Sequence, residues 1–290
     1  MTWVDALRLG RVSNLPTVWT NMLAGIVLAG GAVLEAQSLA LFVAMSLFYL
    51  GGMYLNDAFD AEIDARERPE RPIPSGRVSR GVVFALGFAM LAVAVVLVGV
   101  IAARFAPAGP LWPVGSALGL AAAIVFYDFH HKSNPLSPVI MGLCRMLVYV
   151  TAGLCIVVPL PARLLIGAVL LLCYLIGLTY VAKQENFGKV ENLWPLAFLA
   201  APVVYGVMLA GDQPVTALFL LVFLGWMLLA IGFIKRRRPG DIPRAVVGLI
   251  AGISLLDALL VVGTGAIEIA LLCVFGFAVT LMLQRYVPGT

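Results

Sequence analysis

Residues 38–64 read SLALFVAMSLFYLGGMYLNDAFDAEID. As far as Leu55 the run carries no charged side chain, and its length approaches the roughly 20 mostly apolar residues that a helix needs to cross a bilayer. Within the next nine residues stand Asn56, Asp57, Asp60, Glu62 and Asp64. A spanning segment that ends in a cluster of carboxylates defines both the solvent of this fold and the place to look for its chemistry.

Nine further apolar stretches flank it, at about 15–34, 81–103, 111–127, 136–158, 162–182, 193–210, 214–234, 244–262 and 266–283. The last two are divided only by Gly263, Thr264 and Gly265. Hydrophobic residues make up 62% of the chain and charged ones 12%, where a soluble domain is about half apolar and a quarter charged. Mean hydropathy is +1.04. The expected fold is all-α, a polytopic membrane bundle of nine to ten transmembrane helices. No charge run or Pro/Ser-rich linker divides the chain, so residues 1–290 are read as one domain. The first residues lack a short apolar core with a small-residue cleavage site, so the first spanning segment is expected to act as its own anchor. Cys144, Cys155, Cys173 and Cys273 all lie inside apolar runs and read as small buried hydrophobes.

Charge orients the bundle. With the N-terminal side in the cytoplasm, fifteen of the nineteen Lys and Arg residues precede the first segment or follow the second, fourth, sixth and eighth. The opposite loops hold Arg104 and Arg163, while Arg145 lies within a segment and Arg285 near the C-terminal end. This asymmetry is the positive-inside pattern, and it puts the long loops in the cytoplasm. The net charge of +4 follows topology and forms no soluble basic face, which excludes nucleic acid as a partner. Arg236, Arg237 and Arg238 fit contact with anionic headgroups.

Asp57, Asp60 and Asp64 are spaced by three and four residues, so on a continuing helix they share one face. Like charges so placed destabilise a helix unless a cation sits among them. Hard divalent ions such as Mg²⁺ select carboxylate oxygens and complete their shell with water and substrate phosphates. Ionisable groups at membrane depth are costly and tend to be functional. The triad therefore reads as a cradle for a metal–diphosphate complex, whereas Glu62, Glu67 and Glu70 fit an ordinary solvated helix end.

The order Asn56-Asp57-Ala-Phe-Asp60-Ala-Glu-Ile-Asp64, followed by Glu70-Arg71-Pro72-Ile73-Pro74-Ser75-Gly76, resembles the first aspartate motif of the UbiA-type intramembrane prenyltransferases, with its wording nearest the chlorophyll-synthase and archaeal-lipid branches. The resemblance implies about nine helices around a central cavity. It also implies Mg²⁺-dependent transfer of a prenyl group from an isoprenoid diphosphate to an aromatic, tetrapyrrole or polar lipid acceptor. By the same resemblance Asn56, Asp57, Asp60 and Asp64 hold Mg²⁺. The reading takes Asp57, Asp60, Asp64 and Lys183 as catalytic. As substrate-binding groups it takes Asn14, Asn21, Arg71, Arg77, Tyr127, Lys132, Arg145, Gln184 and Glu185. Arg66 and Arg68 read as lipid-facing or structural. For Asn14 and Asn21, cavity lining and helix–helix hydrogen bonding remain equal alternatives. Asp257, within the ninth segment, is a candidate partner for Arg145. Phe48, Phe126, Trp194 and Phe198 are candidates to line the groove for the donor tail, and equally ordinary membrane core.

The family's second aspartate cluster follows the sixth segment, but residues 179–192 here read TYVAKQENFGKVEN and contain no aspartate. Three readings stand. Glu185, with Gln184 and Asn186, holds a metal loosely; Lys183 supplies the charge of a missing metal; or diphosphate chemistry is lost and the protein is a non-catalytic isoprenoid-lipid carrier or transporter. A bias towards Ala, Arg and Leu points to a bacterial plasma membrane.

Overall fold

The computed structural model describes residues 1–132, 134–184, 194–211, 213–236, 238–287 and 289, with Gln184 described by its backbone alone. A short helix α1 (Trp3–Leu9) opens the chain, and a single 3-10 turn (Val12–Asn14) leads into α2 (Leu15–Ala29). Then follow α3 (Ala36–Phe59), the short α4 (Ala61–Glu67), α5 (Arg80–Phe105), α6 (Leu111–His130), α7 (Ser137–Leu154) and α8 (Ala162–Gln184). A second 3-10 stretch (Trp194–Leu199) precedes α9 (Ala200–Ala210), and α10 (Pro214–Arg236), α11 (Asp241–Val262) and α12 (Ile267–Leu283) complete the chain. Among the described residues eight helices are long and apolar enough to cross a membrane, and Trp194–Ala210 and Ile267–Leu283 are shorter apolar helices. These ten segments are the ten that hydropathy marked, and the protein is an integral membrane protein.

The narrow division at residues 263–265 separates two real helices. The 17 residues of α12 extend about 25 Å at 1.5 Å per residue, most of a hydrocarbon core of about 30 Å. Its far end returns to the start of α2, where Gln284 Nε2 donates to Asn14 Oδ1 at 2.9 Å. Among the described residues there is thus one apolar helical segment more than the nine the resemblance implied, and α12 is longer than a short re-entrant turn.

Two helices are central. Burial reaches 89% over the α11 span and 83% over the α2 span, against 28% for both α5 and α6. A helix apolar all round belongs inside, and the outer helices turn side chains such as Val96, Val100 and Leu118 towards lipid. Around α2 and α11 the other helices close a ring, with α3 against α5, α6 against α7, α7 against α8, and α10 and α12 against α11. Where α3 meets α5 the contact is glycine on glycine: a Cβ on Gly51 would lie 3.0 Å from the Gly87 carbonyl oxygen. In lipid, where apolar burial drives no association between helices, such close backbone approach supplies the packing.

Polar side chains tie the central helices together. Asn21 of α2 donates to both carboxylate oxygens of Asp257 of α11 at 3.1 and 2.9 Å. Tyr149 of α7 donates to the same carboxylate, and Thr20 meets Ser254 at 3.0 Å. At the other end of α2, Arg163 Nε donates to the Leu28 carbonyl at 2.7 Å, satisfying an oxygen that the helix terminus leaves without an internal partner.

Candidate functional site

A cavity of about 500 Å³ opens at one end of the bundle. Its polar lining comes from helix ends gathered there: Arg11 and Asn14 before α2, Asn56 at the end of α3, Asp60 and Asp64 beyond it, Tyr127 and Asp128 at the end of α6, and Lys183 at the end of α8. One or more turns deeper the lining becomes Val18, Met45, Phe48, Leu120, Ile124, Val148, Leu175 and Ile253. The cavity is therefore amphipathic along its depth, with a charged mouth and an apolar interior. Arg145 of α7 is the charged exception at depth. Its Nη1 donates to Asn21 Oδ1 at 3.0 Å and its guanidinium lies 5.6 Å from the Tyr49 ring centre.

The acidic motif keeps a nearly helical path. Asp60 caps α3, and its carbonyl accepts from the Asp64 amide at 2.8 Å, so Asp57, Asp60 and Asp64 stay close. Their mutual repulsion is met by the protein's own cations. Arg11 Nη2 stands 3.0 Å from Asp57 Oδ1 and 3.1 Å from Asn56 Oδ1. Arg71 Nη1 reaches Asp64 Oδ2 at 2.7 Å and Asp57 Oδ1 at 3.4 Å. Asp60 Oδ2 lies 3.2 Å from Lys132 Nζ and 3.4 Å from His131 Nε2. Burial drives the Asp60 pKa up, but the hydrogen bond and charge of His131 and the charge of Lys132 outweigh it and leave the pKa below the usual carboxylate value. Opposite, Asp128 Oδ1 accepts from Asn56 Nδ2 at 3.2 Å, while its Oδ2 is buried without a hydrogen-bond partner.

Local sequence explains how two of these cations are aimed. The segment Arg71-Pro72-Ile73-Pro74-Ser75-Gly76 folds as a tight turn in which Ser75 Oγ donates to the Arg71 carbonyl at 2.7 Å. Gly76 takes φ +75°, a conformation that costs a side-chain-bearing residue about 1–2 kcal/mol, and so the turn that presents Arg71 to the triad calls for glycine there. Arg11 adopts φ 39°, the sole positive φ outside glycine among the described residues, and its carbonyl accepts from Tyr49 OH at 3.1 Å. Strain of this kind persists where the surroundings hold it, and here it turns the guanidinium inward.

Of the expected site residues, the structure brings Asn14, Asn56, Asp60, Asp64, Arg71, Tyr127, Lys132, Arg145 and Lys183 to the cavity lining. Asp57 lies just behind it, between Arg11 and Arg71. Lys183 Nζ donates to Ser137 Oγ at 2.9 Å and to the Asn134 and His131 carbonyls at 3.0 and 3.4 Å. Three expectations need correction. Arg77 does not line the cavity, because Asp5 holds its Nε at 2.9 Å and the Glu70 carbonyl its Nη2 at 2.8 Å. Asn21 serves the helix–helix alternative and links Arg145 to Asp257. Arg68, read as lipid-facing or structural, lines the cavity mouth. Phe48 lines the interior, but Phe126 and Trp194 are exposed and do not. The side chain of Gln184, and Glu185 altogether, lie outside the described residues. Arg11, His131 and Asp128 also line the cavity, though none stood among the expected site residues. The one local signal for each was its place at the end of a spanning segment.

Among the described residues no three acidic, histidine or cysteine side chains converge into a ready metal cage. The donor set is nevertheless hard oxygen throughout, as Mg²⁺ prefers, and that ion needs only one or two carboxylates when phosphate and water complete its shell. The residues fit an ion that arrives with a diphosphate.

Comparison with known proteins places this architecture. The model described as UbiA prenyltransferase family matches residues 17–242. A digeranylgeranylglyceryl phosphate synthase of Methanopyrus kandleri is 42% identical over 83 residues, covering 28% of this chain and 30% of that relative. The chain thus spans less than a third of the length of the curated relatives it first matches. A solved structure titled for digeranylgeranylglyceryl phosphate synthase in membranes superposes with a TM-score of 0.64 at 18% identity, covering 91% of this chain and 98% of that one. The apo structure of a UbiA homolog from Aeropyrum pernix K1 gives 0.60 at 15% identity over 87% and 97%. At these identities the two structures show the shared fold. The relatives are archaeal and lend no support to the bacterial origin that composition suggested.

Proposed function

The chain belongs to the UbiA prenyltransferase family, and we propose that it transfers a prenyl group from an isoprenoid diphosphate to a polar lipid acceptor, at a site that faces the cytoplasm. The observation that carries this reading is the cavity itself, whose charged mouth and apolar interior match a molecule with a diphosphate head and a hydrocarbon tail. Lys132, Lys183 and Arg68 receive the head, and the tail lies along Phe48, Leu120, Ile124 and Val148. Asn56, Asp57, Asp60 and Asp64 would hold Mg²⁺. When bound, that ion supplies positive charge against the charge the departing diphosphate gathers. The donor C1–O bond breaks, the acceptor nucleophile bonds to C1, and the acceptor releases a proton. Lys132 and Lys183 stay beside the leaving group throughout and exclude water from one side of it. The name of the archaeal relatives favours an acceptor that carries a glyceryl phosphate over an aromatic or tetrapyrrole one.

One observation favours the carrier reading: Arg11, Arg71 and Lys132 already neutralise the triad, so its stability does not require a metal. Diphosphate release separates the two. The purified protein is incubated with geranyl, farnesyl and geranylgeranyl diphosphates and a glyceryl phosphate acceptor, with Mg²⁺ or EDTA, as wild type and as Asp60→Asn. Release that requires both Mg²⁺ and Asp60 is expected, with Asp60→Asn slower by about 100-fold or more, the scale on which loss of one charge-stabilising group acts. Prenyl-lipid binding with no release from any donor supports the carrier.

A further inference from the structure

Four carboxylates gather at this end of the cavity, and three are matched by cations of the protein: Asp57 by Arg11 and Arg71, Asp60 by Lys132, with His131 also beside it, and Asp64 by Arg71. The fourth, Asp128, has no such partner among the described residues. It sits in the last turn of α6, 3% exposed, on the cavity wall opposite the motif. Its Oδ1 accepts from Asn56 Nδ2 and its buried Oδ2 accepts nothing. A buried carboxylate oxygen that no protein donor reaches calls for a cation, a proton or a bound water to compensate its lost hydration.

The opposite side of the cavity sharpens the point. Residues 179–192 contain no aspartate, and the end of α8 presents the Lys183 ammonium, tied to the loop between α6 and α7. Beside the motif of α3, the described buried acidic group that reaches the cavity from another helix without a cation of its own is Asp128. We propose that Asp128 is a metal ligand, supplied by α6, so that the ion is held between the walls of α3 and α6. This rests on the function proposed above. Asn56 joins the two walls: its Oδ1 faces Arg11 and its Nδ2 fixes Asp128 Oδ1, which leaves Asp128 Oδ2 as the uncommitted oxygen. Carboxylate oxygens from two helices, with phosphate and water completing the shell, form the sparse protein contribution that Mg²⁺ accepts.

The test reads metal binding without turnover. Full-length protein in nanodiscs is saturated with geranylgeranyl S-thiolodiphosphate, an unreactive donor analogue, and titrated with Mn²⁺, free ion being followed by electron paramagnetic resonance. Wild type is expected to bind, and Asp128→Asn, which keeps an oxygen to accept from Asn56 but removes the charge, to weaken binding at least tenfold. Glu62→Gln, at an exposed acid outside the cavity, is expected to leave it unchanged. Should Asp128→Asn fail to fold, the equal-sized pair Asp128→Glu and Asp128→Gln isolates the charge, with Glu expected to bind at least tenfold tighter. Equal Mn²⁺ affinity in wild type and Asp128→Asn, or in the Glu and Gln pair, overturns the assignment of Asp128 and leaves the transferase standing. Failure of wild type to bind Mn²⁺ with the analogue overturns both.

Discussion

Asp60 shows how one side chain couples the site to stability. Its folded pKa is depressed, so its stabilising contribution is complete above the unfolded carboxylate value of about 4 and is lost as pH falls through the folded one. Lys132 is 42% exposed, so the interaction is screened and amounts to about 1 kcal/mol, near 2 °C in melting temperature for a chain of this size. The melting difference between wild type and Asp60→Asn should shrink as pH falls below about 4. A difference that grew on acidification would show that Asp60 is not held ionised by His131 and Lys132. The charge on Asp60 was plain in the sequence. Its partners were not, since His131 and Lys132 lie more than seventy residues away and reach it only because α3 and α6 end at the same level.

Helices meet through a few polar contacts whose loss should be measurable. Asp257 accepts from Asn21 twice and from Tyr149, and through Asn21 it steadies Arg145 at the cavity wall. Replacing it with alanine strands two buried donors at the junction of α2, α7 and α11. Interhelical hydrogen bonds in membranes contribute about 1 kcal/mol and stranded buried donors cost about 1–3 kcal/mol. Asp257→Ala should therefore destabilise the bundle by about 2–4 kcal/mol, with Asp257→Asn milder. Thermal unfolding in detergent checks this, and an unchanged transition for Asp257→Ala would refute a structural role for the cluster. The helices themselves were legible, since ten apolar runs became ten helical segments. The pairing of Arg145 with Asp257 was half right: the two belong to one cluster, but Asn21 stands between them, and spacing along the chain says nothing about such a bridge.

Across the whole molecule, ten segments bring Gln284 and Gly289 back to the end that holds Val12–Asn14, where Asn14 donates to the Gly289 carbonyl at 2.9 Å. Single cysteines at Trp3 and Tyr286, 87% and 78% exposed, should be labelled from one face of sealed vesicles, and one at Leu34, 99% exposed, from the other. In the proposed orientation, which rests on the lysine and arginine count, the first face is the cytoplasmic one. Labelling of the Tyr286 position together with Leu34 would contradict both the tenth crossing and the proposed orientation.

The amino-acid sequence by itself determined the solvent, the spanning segments, the charge asymmetry and the acidic motif at the end of α3. Each of these is a property of neighbours along the chain, readable from composition and helical period. Tertiary structure decided which cations neutralise the triad, that Arg77 turns to Asp5 and not to the cavity, that Asn21 bridges Arg145 and Asp257, and that Asp128 faces Asn56 with an oxygen to spare. These contacts join residues far apart in sequence. They depend on how each helix is rotated and how deep it sits against the others, which the packing of the entire bundle sets and no single segment encodes.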